Sequence, residues 1–185
     1  ITAPVVVSVV SNPASITGSN TGTATVTLDG PAPTSWNVTV TSDNPALGFG
    51  VVAGVQVATK TTAVATGARS VNVSMTTAYV TADTPVNVTA TRAGVSATTV
   101  VNVLPPAPAS VVLTPASVRG GVNTSLRVNI TAKAPVGGLV VALASNRSEA
   151  TPVATVTVPA GQTFTTTSVP TKSVSANATA VLSAT

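Results

Sequence analysis

The alternation that decides the fold begins in residues 23–28, which read TATVTL. Ala24, Val26 and Leu28 fall on one face of an extended chain, and the three threonines fall on the other. Turn-forming clusters such as GSNTG and DGPAP flank this segment, and no window shows helical spacing of apolar residues. The same alternation, rich in β-branched residues, recurs at 36–41 (WNVTVT), 70–75 (SVNVSM), 86–91 (VNVTAT) and 97–103 (ATTVVNV). Short half-buried strands joined by turns predict an all-β sandwich.

The composition excludes several kinds of chemistry. The 185 residues include 6% charged and 2% aromatic residues, with no histidine and no cysteine. Histidine-based catalysis, thiol chemistry, Cys/His zinc sites and disulfides are therefore impossible within this chain. Of the four acidic residues, Asp29 and Asp43 lie in turns and are interpreted as turn formers rather than a catalytic pair. We expect a protein that is not an enzyme and has no catalytic residue, cofactor or metal site.

The charge pattern does not indicate a nucleic-acid partner. The formal net charge is +4, but the eight lysines and arginines are spread along the chain and only four aromatic residues accompany them. No apolar run approaches the roughly 20 residues of a membrane-spanning helix, so we expect no membrane span. Low charge, abundant Thr, Ser and Asn and the absence of cysteine favour an extracellular or cell-surface location.

An internal repeat predicts two domains. SNPASITGS at 11–19 matches LTPASVRGG at 113–121, and the same offset of 102 pairs Val38 with Val140. Repetition on this scale is typical of tandem copies of one structural unit.

The boundary between the copies is proline-rich. LPPAP at 104–108 stiffens the chain and stops strand pairing, so the predicted domains are 1–104 and 105–185. Toward the end of each copy the offset falls to 94, which places eight extra residues of the first copy within 47–60.

Three motifs of the second copy carry a family resemblance. PASVRGG (115–121), APVGGLVV (134–141) and VTVPAGQTF (156–164) resemble the bacterial immunoglobulin-like (Big-type) repeats found in tandem in large surface and secreted proteins. The resemblance covers 109–185 well and 10–104 more loosely. It implies two tandem immunoglobulin-like β-sandwich domains that form a spacer, stalk or adhesive array, and it brings no catalytic residue.

Two functions follow from this interpretation. The first is an extracellular structural module of a surface array, stalk or filament, whose partners are copies of itself or neighbouring repeats. The alternative is an adhesin-type module that binds a glycan or a cell-surface protein through loops of the first domain. Phe49 and Tyr79 lie in irregular segments and are the candidate contact residues for the alternative. Trp36 shares a face with Val38 and Val40, which favours the core over a sugar-stacking surface.

Asparagine sequons are frequent on the predicted outer faces. Seven N-x-S/T sequons occur in the chain, partly because alternation places Asn and Thr two residues apart. Asn37, Asn72, Asn87 and Asn129 point opposite apolar neighbours, which makes them candidate N-glycosylation sites in a host that has the machinery.

The second copy contains no counterpart of the strand at 97–103, which should close one sheet of the first copy. A sandwich without that strand exposes core side chains and unpaired backbone groups. Either the polypeptide continues past Thr185, or a neighbouring chain supplies a strand. Val5, Val6 and Val7 in the strand-like opening segment are candidate donor residues. The rival account places them in the first strand of their own sandwich.

Overall fold

The computed structural model describes residues 2–185, and within this range it contains strands and turns but no helix. The all-β prediction is therefore confirmed. The chain divides into two compact units, one ending at Pro105 and the other beginning at Pro106. The division lies one residue after the end of the predicted first domain.

The first unit contains eleven strands in two sheets and one short hairpin. In chain order they are β1 (Val6–Asn12), β2 (Ser15–Thr17), β3 (Thr21–Leu28), β4 (Trp36–Ser42), β5 (Leu47–Gly48), β6 (Val51–Val52), β7 (Val55–Gln56), β8 (Thr59–Val64), β9 (Ser70–Thr77), β10 (Thr84–Arg92) and β11 (Val95–Leu104). One sheet has the order β1-β3-β9-β5 and the other the order β2-β11-β10-β4-β8. Every pairing is antiparallel except that of β2 with β11, which is parallel.

The two sheets of the first unit share one apolar core. Val26 of β3 and Val73 of β9 pack in the same buried cluster as Val40 of β4, Val88 of β10 and Val101 of β11. Threonine, serine and asparagine occupy most of the alternate positions, so the alternation of the sequence becomes one buried and one solvent-facing side of each sheet. Each fully buried valine contributes about 1.5–3 kcal/mol through removal of apolar surface from water.

The second unit is smaller and contains two three-stranded sheets around its own core. Its strands are β12 (Pro108–Thr114), β13 (Thr124–Ile130), β14 (Leu139–Ser145), β15 (Thr155–Val158), β16 (Phe164–Val169) and β17 (Leu182–Ala184). The order β12-β13-β16 corresponds to β1-β3-β9, and the order β15-β14-β17 corresponds to β8-β4-β10. Fully buried members of this core are Leu126, Val128, Val141, Val158 and Val169.

The structure corrects the alignment of the two copies in one segment. Val140 is 65% exposed whereas Val141 is fully buried, so Val141 and not Val140 is the counterpart of Val38. The second copy has one extra residue in the turn before β14, where Gly137 and Gly138 both have positive φ, at 94° and 83°. The extra segment of the first copy is consequently one residue longer than the sequence predicted.

The extra segment of the first unit forms a hairpin between β5 and β8. Its strands β6 and β7 pair through Val51–Gln56 and Val52–Val55. The turn residues Ala53 and Gly54 both have positive φ, at 49° and 80°, as a tight two-residue hairpin turn requires.

The opening segment belongs to its own sandwich. β1 pairs antiparallel with β3, Val6 lies opposite Leu28, and the side chain of Val6 is only 3% exposed. The backbone N–H of Val5 donates to Oδ1 of Asp29 at 2.8 Å, while Val7 faces solvent. Withdrawal of this strand would open the core that Val6 fills. The assignment of Val5, Val6 and Val7 as strand donors is therefore wrong, and the rival account holds.

Candidate functional site

Phe49 is not an exposed contact residue. Its side chain is 7% exposed and belongs to the core of the first unit. The N–H of Phe49 donates to the carbonyl of Val57 at 2.8 Å, and the preceding Gly48 pairs with β9. These bonds fix an irregular segment so that the ring packs inward. The prediction of Phe49 as a binding residue is wrong because irregular sequence does not imply exposure.

Tyr79 remains accessible. Its side chain is 36% exposed and borders a shallow open groove that Asn44, Pro45, Ala46 and Val80 also line. Among the residues that line this groove, Tyr79 is the single aromatic. The groove thus offers one stacking surface to a ligand.

Trp36 is half-buried against the core of the first unit, and its free face is occupied. The guanidinium of Arg92 lies 3.6 Å from the centroid of the ring, and Nη1 of Arg92 donates to the carbonyl of Asn37 at 3.1 Å. A cation over an exposed indole contributes about 0.5–1 kcal/mol. The second unit has a similar pair, with Arg127 at 3.8 Å from the ring centroid of Phe164. Each arginine therefore packs its guanidinium over one face of an aromatic ring.

The carboxylates of Asp29 and Asp43 each accept a backbone N–H from a neighbouring segment, Asp29 from Val5 and Asp43 from Asn87. Oδ1 of Asp43 accepts the backbone N–H of Asn87 at 2.9 Å, and Oδ2 accepts the Asn87 amide at 2.6 Å. These bonds, the side-chain bond first, lower the pKa of Asp43 below its ordinary value of 3.8. Across residues 2–185 no group of three or more His, Cys, Asp or Glu side chains could hold a metal ion.

The four sequon asparagines on strands differ in how their amides are used. Nδ2 of Asn87 is held by Asp43, and Nδ2 of Asn129 donates to Oγ of Ser110 at 3.0 Å. Asn37 and Asn72 are exposed, and within the described range their Nδ2 atoms make no hydrogen bond. Glycosylation at any of the four stays a prediction, and Asn37 and Asn72 are the more accessible pair.

A partly apolar cleft lies in the second unit, beside β17. β17 pairs on one side with β14 through Leu182–Ser145 and Ala184–Leu143. On its other side a cleft of about 250 Å³ extends toward the segment that follows β12. The residues that line this cleft include the apolar Leu113, Val118, Val169, Val174, Ala180 and Leu182 and the charged Arg147, Glu149 and Lys172.

The corresponding place in the first unit is filled by β11. Val101 and Val103 of β11 are fully buried, Val101 opposite Val86 of β10 and Val103 opposite Ile16 of β2. Val86 is 0% and Ile16 is 2% exposed. Their counterparts in the second unit, Ala180 and Val118, are both partly exposed. The core position that β11 covers in the first unit is therefore uncovered in the second unit.

The secondary structure of the second unit changes where β11 would pair. In the first unit residues 84–87 of β10 pair with β11 alone, and β2 has no other strand partner. In the second unit the counterpart of β10 is shortened to β17, with 178–181 outside any strand. The counterpart of β2, residues 117–119, also lies outside any strand. Residues 106–185 therefore lack both strand segments that depend on β11.

The sequence predicted the absence of this strand but not the residues of the cleft. Residues 171–181 read TKSVSANATAV and show no sustained apolar alternation, so no pattern marked Val174 or Ala180 as lining residues. The alignment with the first copy is the signal that could have identified them.

No helix within residues 2–185 is long and apolar enough to cross a membrane. No protein-family model matches the sequence, and no curated protein matches it. Among solved structures, one described as the crystal structure of CBD12 from CALX1.2 aligns with a TM-score of 0.42 and 10% sequence identity. The alignment covers 96% of this chain and 80% of that chain.

Proposed function

We propose that the chain is a non-catalytic structural module, built of two tandem immunoglobulin-like β-sandwiches, of an extracellular surface array, stalk or filament. The observation that carries the proposal is the uncovered edge of β17 beside the partly apolar cleft. An open sheet edge next to exposed core side chains is stabilised by pairing with a further strand. A module with such an edge is suited to assembly with neighbouring repeats or with copies of itself.

The outer faces of the first unit support close lateral packing. They carry threonines whose hydroxyls bond across strands, for example Thr89 with Thr98 at 2.8 Å and Thr25 with Asn72 at 2.9 Å. Only 6% of the residues are charged, so two such faces can approach with little desolvation of charge. The Big-type resemblance of the second copy points to the same kind of role.

Electron microscopy of the purified chain at increasing concentration, and of its native source, tests the proposal. The expected result is ordered arrays or filaments. Thr98→Lys, an exposed substitution on β11, should weaken lateral packing and leave folding unchanged, since the residue lies on the outer face. A chain that stays monomeric at all concentrations and forms no assembly in its source would contradict the proposal.

A second candidate is a binding module, and the hairpin of the first unit favours it. Val51, Val52 and Val55 on β6 and β7 are 55%, 67% and 67% exposed. Three exposed valines on a projecting hairpin offer an apolar contact to a protein surface, while Tyr79 offers a stacking contact to a sugar.

Glycan-array and cell-surface binding measurements on the whole chain discriminate the two functions. Specific binding that Tyr79→Ala or a triple Val→Ser change of the hairpin abolishes would support the binding module. Phe49→Ala is not a suitable probe, because Phe49 is part of the core. Binding that none of these changes affects would exclude the loops of the first unit as the contact surface.

A further inference from the structure

We propose that the cleft beside β17 is an acceptor site for one β-strand with the chemistry of β11, donated by a partner polypeptide. The proposal deepens the structural function and rests on it for its biological setting. Its physical basis is the first unit, where a strand of known sequence occupies the corresponding position. The occupant is therefore an extended segment with β-branched or larger apolar residues at alternate positions.

The register of the acceptor site follows from the first unit. β11 runs antiparallel to β10 with Val101 opposite Val86 and Val103 opposite Thr84. The counterparts of Val86 and Thr84 are Ala180 and Ala178. The strand should therefore run antiparallel to β17, with its two inward anchor residues beside these alanines.

The second side of the site is formed by the segment after β12. In the first unit the N–H of Gly18 donates to the carbonyl of Leu104 at 2.8 Å, and the N–H of Asn102 donates to the carbonyl of Ala14 at 3.0 Å. The counterparts of Gly18 and Ala14 are Gly120 and Ala116, which both line the cleft. A strand in the cleft would thus be held by antiparallel pairing on one edge and parallel pairing on the other.

The backbone of this second side has the same geometry in both units. A Cβ added at Gly18 would lie 2.6 Å from the carbonyl oxygen of Ala78. A Cβ added at Gly120 would lie 2.7 Å from the carbonyl oxygen of Lys172. The close approach is therefore kept in the second unit although no strand within residues 106–185 covers it.

The lining residues also set a size preference. Alanine at 178 and 180 replaces the larger Thr84 and Val86 of the first unit. The cleft consequently has room for side chains larger than the valines of β11. We expect anchors such as isoleucine or leucine to bind more tightly than valine, because they bury more apolar surface.

Edge-to-edge pairing of two copies of β17 is the main competing occupant. It would satisfy backbone groups of Leu182 and Ala184 but would place no side chain against Leu113 and Val118. A strand that enters the cleft covers both the backbone edge and these apolar side chains. The geometry therefore favours an inserted strand over a paired edge.

The test uses the whole chain and a synthetic peptide of sequence VSATTVVNVL, residues 95–104. Fluorescence anisotropy measures binding, and hydrogen exchange measures protection of amides 117–120 and 178–184. We expect saturable binding with protection confined to these two segments. A control peptide with Val101→Ser and Val103→Ser should bind at least about tenfold more weakly, because its anchors bury little apolar surface and carry no charge that could pair with Arg147 or Lys172.

Two variants make the result specific. Ala180→Trp fills the cleft and should abolish peptide binding. Ala178→Lys places a charge at an exposed position of the rim and is a second blocking variant if the first does not fold. Circular dichroism checks that each variant retains its strands. Ile or Leu at peptide positions 101 and 103 should tighten binding.

The outcomes separate this proposal from the structural function. Equal binding of both peptides, protection outside the two segments, or dimerisation of the chain through β17 without peptide binding would overturn the acceptor site. Assemblies that form and are unaffected by excess peptide would leave the structural function standing without this site. Peptide binding in a chain that forms no assembly would leave the site standing and remove the structural function.

Discussion

Asp43 holds the turn after β4 to the neighbouring strand β10 although its side chain is exposed. Its two carboxylate oxygens hold the backbone and the amide of Asn87 in the first unit. The second unit has Asn146 in the corresponding place, where Oδ1 accepts the backbone N–H of Val181 at 2.8 Å. The two units therefore use the same turn contact, once with a charge and once without.

The lowered pKa of Asp43 predicts a pH dependence of stability. Since the folded pKa lies below the unfolded value of about 3.8, the stabilisation is complete above that value and is lost as pH falls through the folded pKa. Asp43→Asn keeps an acceptor for the Asn87 N–H and removes the titrating group. The midpoint of thermal unfolding should therefore depend less on pH below about pH 4 in this variant than in the parent chain. An unchanged pH profile would contradict the assignment.

Phe49 and Tyr79 provide a matched pair of aromatic truncations. Phe49→Ala removes a core ring and should cost about 3–5 kcal/mol of unfolding free energy. Tyr79→Ala removes a partly exposed ring and should cost less than about 1 kcal/mol. Urea unfolding of the two variants measures the difference. Equal losses would mean that the two rings are buried alike.

At the scale of single elements, the alternation of apolar and polar residues predicted the strands, whereas the alignment at Val140 and the position of Phe49 depended on turn geometry and tertiary contacts. TATVTL, WNVTVT and SVNVSM all lie within strands whose valines face the core. The alignment failed by one residue at Val140, because two glycines in a turn tolerate an insertion that the strand pattern does not reveal. Phe49 was misplaced for a similar reason, since the bond of its N–H to Val57 is not a property of the local sequence.

The β6–β7 hairpin has no counterpart in the second unit, so we expect the fold to tolerate its removal. Replacing 52–55 by Asn-Gly, a favoured two-residue turn, keeps Val51 opposite Gln56 and removes two exposed valines. The free energy of unfolding should change by less than about 0.5 kcal/mol. Denaturant titration measures this. A large loss of stability would show that the hairpin supports the core.

At the scale of the whole molecule, the two units should differ in stability. The second has fewer strands, a smaller core and an open sheet edge, and smaller cores are marginally stable. Calorimetry should therefore show two transitions, the lower one from the second unit. Val26→Ala and Val128→Ala, fully buried counterparts, assign them: each should lower only its own transition, by several degrees. A single transition lowered by both changes would contradict separate unfolding.

The contact between Arg92 and Trp36 has an optical consequence. Trp36 is the single tryptophan of the chain, so intrinsic emission excited at the indole band reports on the first unit alone. Unfolding withdraws the guanidinium from the ring and changes the emission, while the second unit melts without a tryptophan signal. Emission and circular dichroism should then give different midpoints for the same sample. That disagreement, ordinarily taken as evidence of an intermediate, would here measure the gap between two separate transitions.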